Sequence, residues 1–165
     1  MVWRAMLMLA VLPWGLSCSA QPWREYRAPD GSFKVLLPEV PTVRERNGDK
    51  LYLAFADRVG YTIVSGRVPE RFRDDPSPEP LFDALQADTV RALRGILGPQ
   101  HPAVLGEVPG REFVVSHQLK TGATATTTRV FRINDEVLAL QVMAPEDGSA
   151  VPDERFWSSF VVLRP

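Results

Sequence analysis

Arg111–Met143 reads REFVVSHQLKTGATATTTRVFRINDEVLALQVM, and this stretch decides the fold class. Phe113, Val115, His117 and Leu119 recur with period two, so they share one face of a strand over Arg111 to Leu119. Lys120-Thr121-Gly122 supplies a turn, and Ala123 to Ile133 returns rich in threonine, whose branched Cβ favours extended backbone. The run Thr126 to Thr128 fits an exposed strand face. Asn134-Asp135 turns the chain into Val137 to Met143, where Leu138, Leu140 and Val142 point to one side. Connections this short join only antiparallel neighbours, because parallel ones need crossovers of about a dozen residues or more. The stretch is an antiparallel meander.

Upstream, the chain loops through His101-Pro102, forms a short strand near Ala103 to Leu105 and turns at Pro109-Gly110. Before that comes a helix. Ser77 caps it, Pro78 suits the first helical position, and Leu81, Leu85, Thr89, Leu93 and Ile96 recur at helical spacing. Asp83, Asp88, Arg91 and Arg94 occupy its other sides, and Gly98-Pro99 ends it. The segment Arg71 to Pro80 carries too many prolines and charges for an element and reads as a surface connection.

In the N-terminal half, Pro29-Asp30-Gly31 marks a turn and Ser32 to Leu37 a strand stopped by Pro38 and Pro41. Thr42 to Arg46 and Lys50 to Ala56 flank Asn47-Gly48, the dipeptide that accepts positive φ at both positions of a type I′ hairpin turn. Arg58-Val59-Gly60 turns the chain again into a strand over Tyr61 to Val68. At the other end, Ala144 to Ala150 is a loop, Pro152 to Phe160 a short helix clustering Phe156, Trp157 and Phe160, and Val161 to Leu163 closes the chain. The prediction is α+β: an antiparallel sheet of about six to seven strands flanked by one long and one short helix.

The N-terminus carries an address. Arg4 gives a positive n-region, Ala5 to Leu16 is apolar, and the small residues Ser17, Cys18, Ser19 and Ala20 follow. The run is too short to span a bilayer and is broken by Pro13 and Gly15. Two cuts compete: one before Cys18, leaving a lipidated cysteine and a membrane tether, and one after Ala20, releasing a soluble exported protein. Gly15-Leu16-Ser17-Cys18 resembles a bacterial lipoprotein box, although Gly15 stands where leucine is usual. Lipidation would account for the chain's single cysteine. The expected organisation is a signal peptide over 1–17, a tether over 18–27 anchored by Trp23, and one domain over 28–165.

Of the 165 residues, removal of the first 17 leaves 148, enough for one core that buries roughly 70% of the unfolded chain's surface. The leader takes only Arg4 with it, so 18 basic residues face 20 acidic ones, a net charge of −2. That balance excludes the strongly basic face nucleic acid demands. Arginine outnumbers lysine heavily, with only Lys34, Lys50 and Lys120, a compositional bias that does not by itself make an anion site.

A hairpin-rich N-terminal half, one long amphipathic helix, a meander opening at Gly110-Arg111-Glu112-Phe113 and an aromatic end at Arg155-Phe156-Trp157-Ser158-Ser159-Phe160 together resemble the PsbP/DcrB-like proteins. The resemblance covers roughly Tyr26 to Leu163 and implies an antiparallel sheet flanked by helices. It also implies an accessory, scaffolding or binding role rather than an enzymatic one, and for DcrB-like members an envelope lipoprotein, which suits Cys18. It carries over no ligand-contacting residue.

Candidate chemistry is sparse. His117 shares a face with Phe113, Val115 and Leu119 and reads as a hydrogen-bonded histidine at the core edge. His101, between prolines, reads as exposed. Two histidines without HExxH-type spacing do not make a zinc site, so no metal or cofactor is expected. Gly-x-Ser-x-Gly and glycine-rich phosphate loops are absent. Adjacent Asp74 and Asp75 splay on a proline-bound loop, Glu112 reads as an ion pair with Arg111 or as solvated, and Arg67 to Arg73 interleaves with acids into a locally neutral loop. Three functions follow: a non-catalytic exported module that binds an envelope protein; a hydrolase built around His101 or His117; and a carrier with a pocket between sheet and helix lined by Leu85, Leu93, Phe131 and Leu140.

Overall fold

A computed structural model describes residues 22–163. The signal peptide, Cys18 and the cut after Ala20 lie outside those residues. In chain order the elements are β1 (Arg24–Arg27), β2 (Phe33–Leu37), β3 (Thr42–Arg46), β4 (Asp49–Ala56), β5 (Val59–Arg67), the single turn α1 (Glu70–Arg73), α2 (Glu79–Leu93), β6 (Ile96–Leu105), β7 (Val108–Leu119), β8 (Gly122–Ile133), β9 (Glu136–Pro145), α3 (Arg155–Ser158) and β10 (Val161–Val162). Seven strands form one sheet in the order β3-β4-β5-β9-β8-β7-β6, and β1-β2-β10 form a second. The α+β reading holds, with α2 on one face of the large sheet and the small sheet with α3 on the other.

The meander is β7-β8-β9, in which Phe113 stands opposite Thr128 and Thr128 opposite Gln141. Asn47 (φ 55) and Gly48 (φ 86) turn the β3–β4 hairpin as their side chains allow. The N-terminal strands join the meander through β5, which pairs with β9 and sets Ile63 opposite Leu140. Both edges of the large sheet are guarded. β3 is exposed throughout and carries Arg44, Glu45 and Arg46, while β6 contains Pro99 and Pro102 and shifts register between Leu97 and Gln100.

Several sequence expectations need correction. Arg24–Arg27 is a strand rather than tether: Tyr26 pairs with Val35 and packs near Phe33 and Tyr52, at ring separations of 6.5 and 6.0 Å. The turn after β4 is Asp57-Arg58, both at positive φ, so Val59 and Gly60 already belong to β5. The segment Arg71 to Pro80 begins inside α1. α2 ends about one turn earlier than its spacing suggests, because Arg94 adopts the left-handed conformation and Gly95 N–H donates to the Val90 carbonyl at 3.0 Å. Gly95 then passes so close to β7 that a Cβ would lie 2.4 Å from Val115 Cγ1. Ile96, Gly98-Pro99 and His101-Pro102 are therefore strand residues of β6, and Ile96 is exposed. Pro109-Gly110 lies inside β7 opposite Val104 and Ala103, and the turn falls at Gly106 instead.

Each face of the large sheet has its own core. On one, Tyr52, Ile63, Leu138 and Leu140 meet Phe33, Val35 and Leu37 of β2 and Phe156 and Phe160 from the C-terminal segment. Phe33 stacks on Phe160 at 5.0 Å and meets Tyr52 edge-on at 5.1 Å, geometry that adds to plain area burial. Ser159 Oγ accepts from Leu36 N–H at 2.8 Å, fixing the C-terminal segment to β2. Lys50, 2.7 Å from Asp30, ties the turn before β2 to the large sheet and holds the Asp30 carboxyl well below the usual carboxylate range, with help from Ser32. On the other face, Leu81 and Phe82 of α2 pack on Phe113, Val115, Val130 and Val137. Arg111 anchors the start of α2 by pairing with Glu79 and, at 2.5 Å, with Asp83.

Candidate functional site

One helix does not cover this sheet. Seven strands about 4.8 Å apart are about 29 Å wide, whereas a helix with its side chains is about 10 Å across. α2 is tied to β7 at both ends, by Arg111 and by Gly95, and among the described residues nothing covers the β4-β5-β9 part of its face. Between helix and bare sheet lies a groove of about 890 Å³.

Its floor is set by register. Leu51 pairs with Val64, Val64 with Ala139 and Ala139 with Val130, so four apolar side chains from adjacent strands stand in one row on the α2 face. Further along, Gln141 pairs with Thr128 and Met143 with Thr126. Leu85, Thr89, Ala92 and Leu93 of α2 form the wall. In the middle of the groove Gln141, Thr128, Thr89 and Thr126 have partners within the protein. Gln141 Nε2 donates to Thr128 Oγ1 at 3.3 Å, Thr89 Oγ1 donates to the Leu85 carbonyl at 2.8 Å, and Thr126 Oγ1 lies 2.9 Å from His117 Nε2. Asp88, on the helix, pairs with Arg91 at 3.2 Å.

The end nearest the β3–β4 turn differs. Arg46, Asp49 and Arg67 line it, and among the described residues none of the three forms an ion pair or side-chain hydrogen bond. Gly66 makes room for Asp49, since a Cβ there would lie 2.0 Å from Asp49 Oδ1. Burial raises the Asp49 pKa above the ordinary carboxylate value. At the opposite end Met143 is followed by Phe55, whose ring lies over Gly60 next to Met143 and is 57% exposed.

Among the residues singled out from the sequence, Leu85 and Leu93 line the groove. Phe131 and Leu140 do not: both point to the other face, because they differ by one register position from Val130 and Ala139. Thr126 and Thr128 are buried rather than exposed, at 3% and 1%, since they sit under the helix wall. His117 is buried and hydrogen-bonded as its spacing predicts, and His101 is exposed on the edge strand. Neither histidine lines the groove. Asp75 Oδ1 accepts from Ser77 N–H at 3.0 Å, a turn contact. Glu112 pairs with Arg129 at 2.6 Å and not with Arg111, because consecutive strand residues face opposite ways. Arg73, in the loop read as locally neutral, pairs with Glu70 and Asp135, whereas Arg67 turns to the groove. The groove's charged end was missed. Its three residues are ordinary exposed-type side chains brought together only by the β3–β4–β5 register.

No protein-family model matches the chain, and no curated protein does either. Solved structures do. Cyanobacterial PsbP (CyanoP) from Synechocystis superposes with a TM-score of 0.60 at 10% identity, over 88% of this chain and 95% of its own. LpqN of Mycobacterium tuberculosis, involved in cell envelope biogenesis, gives 0.55 at 11% identity over 87% and 91%. A Bacteroides thetaiotaomicron protein gives 0.55 at 12% identity, where the match spans 87% of this chain but about half, 49%, of that one. The fold is PsbP/DcrB-like. At these identities the likeness is one of fold.

Proposed function

We propose that this chain is an exported, non-catalytic accessory protein of the cell envelope, acting beside a protein partner there, and that it works by binding a ligand in the groove between α2 and the sheet. The observation that carries the reading is the groove itself. At about 890 Å³ it falls within the range of roughly 300–1,000 Å³ typical of ligand sites. Its walls are mostly apolar, and the hydroxyls of Thr89, Thr126 and Thr128 are engaged within the protein. Among the described residues neither histidine lines it, and its one unpaired carboxylate, Asp49, stands between Arg46 and Arg67 with no histidine or hydroxyl nucleophile hydrogen-bonded to it, which favours holding a ligand over transforming one.

Nile red, a neutral apolar dye, tests this. Its fluorescence is expected to rise on adding the protein and to stay at the free-dye level with Ala139→Trp, which fills the middle of the floor, and with Val64→Lys, which charges it. Melting temperatures verify that both variants are folded. Unchanged dye binding in both folded variants would overturn the groove as the site.

Envelope placement draws on the leader and on Cys18 in a lipoprotein-like box, and the LpqN likeness is in keeping with it. We propose cleavage before Cys18 and attachment of the mature chain to the membrane by lipid. Mass spectrometry of the mature N-terminus is expected to show lipid-modified Cys18. A free Gln21 would replace the tether with a soluble exported form.

A further inference from the structure

We infer that the groove holds a long-chain carboxylate, its acyl chain along the apolar floor and its head between Arg46 and Arg67. The inference rests on the groove being a ligand site and adds the class of ligand. It comes from the polarity gradient along the groove. One end carries Arg46 and Arg67, neither in an ion pair among the described residues; next to it the floor is the apolar row Leu51, Val64, Ala139 and Val130, then the uncharged row Thr62, Gln141 and Thr128, then Met143, with exposed Phe55 beyond. A guanidinium beside a partly enclosed cleft is satisfied by an oxyanion, which it holds through paired N–H donors. Two arginines less Asp49 leave one net positive charge at that end. A carboxylate matches that single charge, whereas a doubly charged phosphate monoester leaves a negative excess beside Asp49. Asp88 does not disturb this balance, being paired with Arg91 on the helix. At the other end, among the described residues, a tail meets Met143, the Phe55 ring beyond it, and Thr126, whose hydroxyl is taken up by His117.

The probes are 11-(dansylamino)undecanoic acid and its methyl ester, which differ only in head charge, titrated by fluorescence at low salt. The acid is expected to bind at least about tenfold tighter than the ester. Arg46→Gln and Arg67→Gln each weaken the acid several-fold, and the double variant lowers the acid to the affinity of the ester. Asp49→Asn tightens the acid by removing the opposing charge. Both arginines are exposed, so these variants are expected to keep the wild-type melting temperature. Equal binding of acid and ester overturns the carboxylate inference and leaves the groove reading standing. If Nile red binds but neither dansyl compound does, the acyl-chain inference falls alone. If none of the three binds, both readings fall and the bare sheet face is left to a protein partner.

Discussion

Phe156→Ala is expected to lower the stability of the protein by about 3–5 kcal/mol while leaving ligand affinity in the groove at its wild-type value. Phe156 is fully buried, packs 5.3 Å from the Tyr61 ring and 5.1 Å from Trp157, and belongs to a helix of four residues. A helix that short has no stability of its own, so the ring holds it in place more than the backbone does. Removing the ring leaves a cavity between β5 and the C-terminal segment, and the small sheet loses part of what presses it onto the large one. Against a total of about 5–15 kcal/mol this is a large fraction, equivalent to roughly 10 °C or more in melting temperature. Thermal or urea unfolding measures it. A shift of under about 3 °C would mean that the neighbours collapse into the space. Affinity is preserved because the damage is on the face opposite the groove, and dye titration well below the melting point shows whether it is.

What the sequence made legible follows the range of its interactions. The β3–β4 hairpin rests on Asn47-Gly48 and the meander on period-two alternation with short turns, and both are decided by residues close in the chain. The small sheet is different. β1, β2 and β10 are brought together by pairings such as Val161 with Lys34, separated by most of the chain, and nothing local in Arg24–Arg27 distinguishes an edge strand from a tether. The end of α2 was misread for a related reason. Ile96 continues the helical spacing, but the approach of Gly95 to Val115 stops the helix first, and that contact is tertiary.

The groove was half legible on the same terms. Leu85 and Leu93 follow from helical spacing, which says that one side of α2 faces the sheet. It does not say which face of the sheet. Strands β8 and β9 are apolar on both sides, Val130 and Ala139 on one and Phe131 and Leu140 on the other, so alternation leaves two assignments of equal merit. The threonines reverse the usual inference. Thr126 and Thr128 read as solvent-facing from composition, yet register with Val115 and Phe113 puts them on the α2 face, where His117 and Gln141 satisfy their hydroxyls.

Phe82→Ala is the counterpart of the first substitution, with a similar expected loss of about 3–5 kcal/mol but the opposite effect on binding. Leu81 and Phe82 are the buried residues of α2, each 1% exposed, and Phe82 packs into the core formed with Phe113, Val115 and Val130. Arg111 stacks near the Phe82 ring, 5.8 Å from its centroid, and pairs with Glu79 and Asp83, yet those carboxylates are 63% and 69% exposed. Ion pairs with partners so open to water contribute about 0–1 kcal/mol, so the ring adds more than the Arg111 pairs to holding the helix on β7. Losing it frees the helix to shift over β7, and Leu85, Ala92 and Leu93 shift with it as the wall of the groove. Nile red affinity is therefore expected to fall at least about tenfold in Phe82→Ala and not in Phe156→Ala, both assayed below their melting points. Phe82→Leu keeps most of the apolar volume and serves if the alanine variant does not fold, with a smaller loss of both stability and affinity. Wild-type affinity in a folded Phe82 variant would show that the ligand rests on the sheet alone and that α2 is no part of its site.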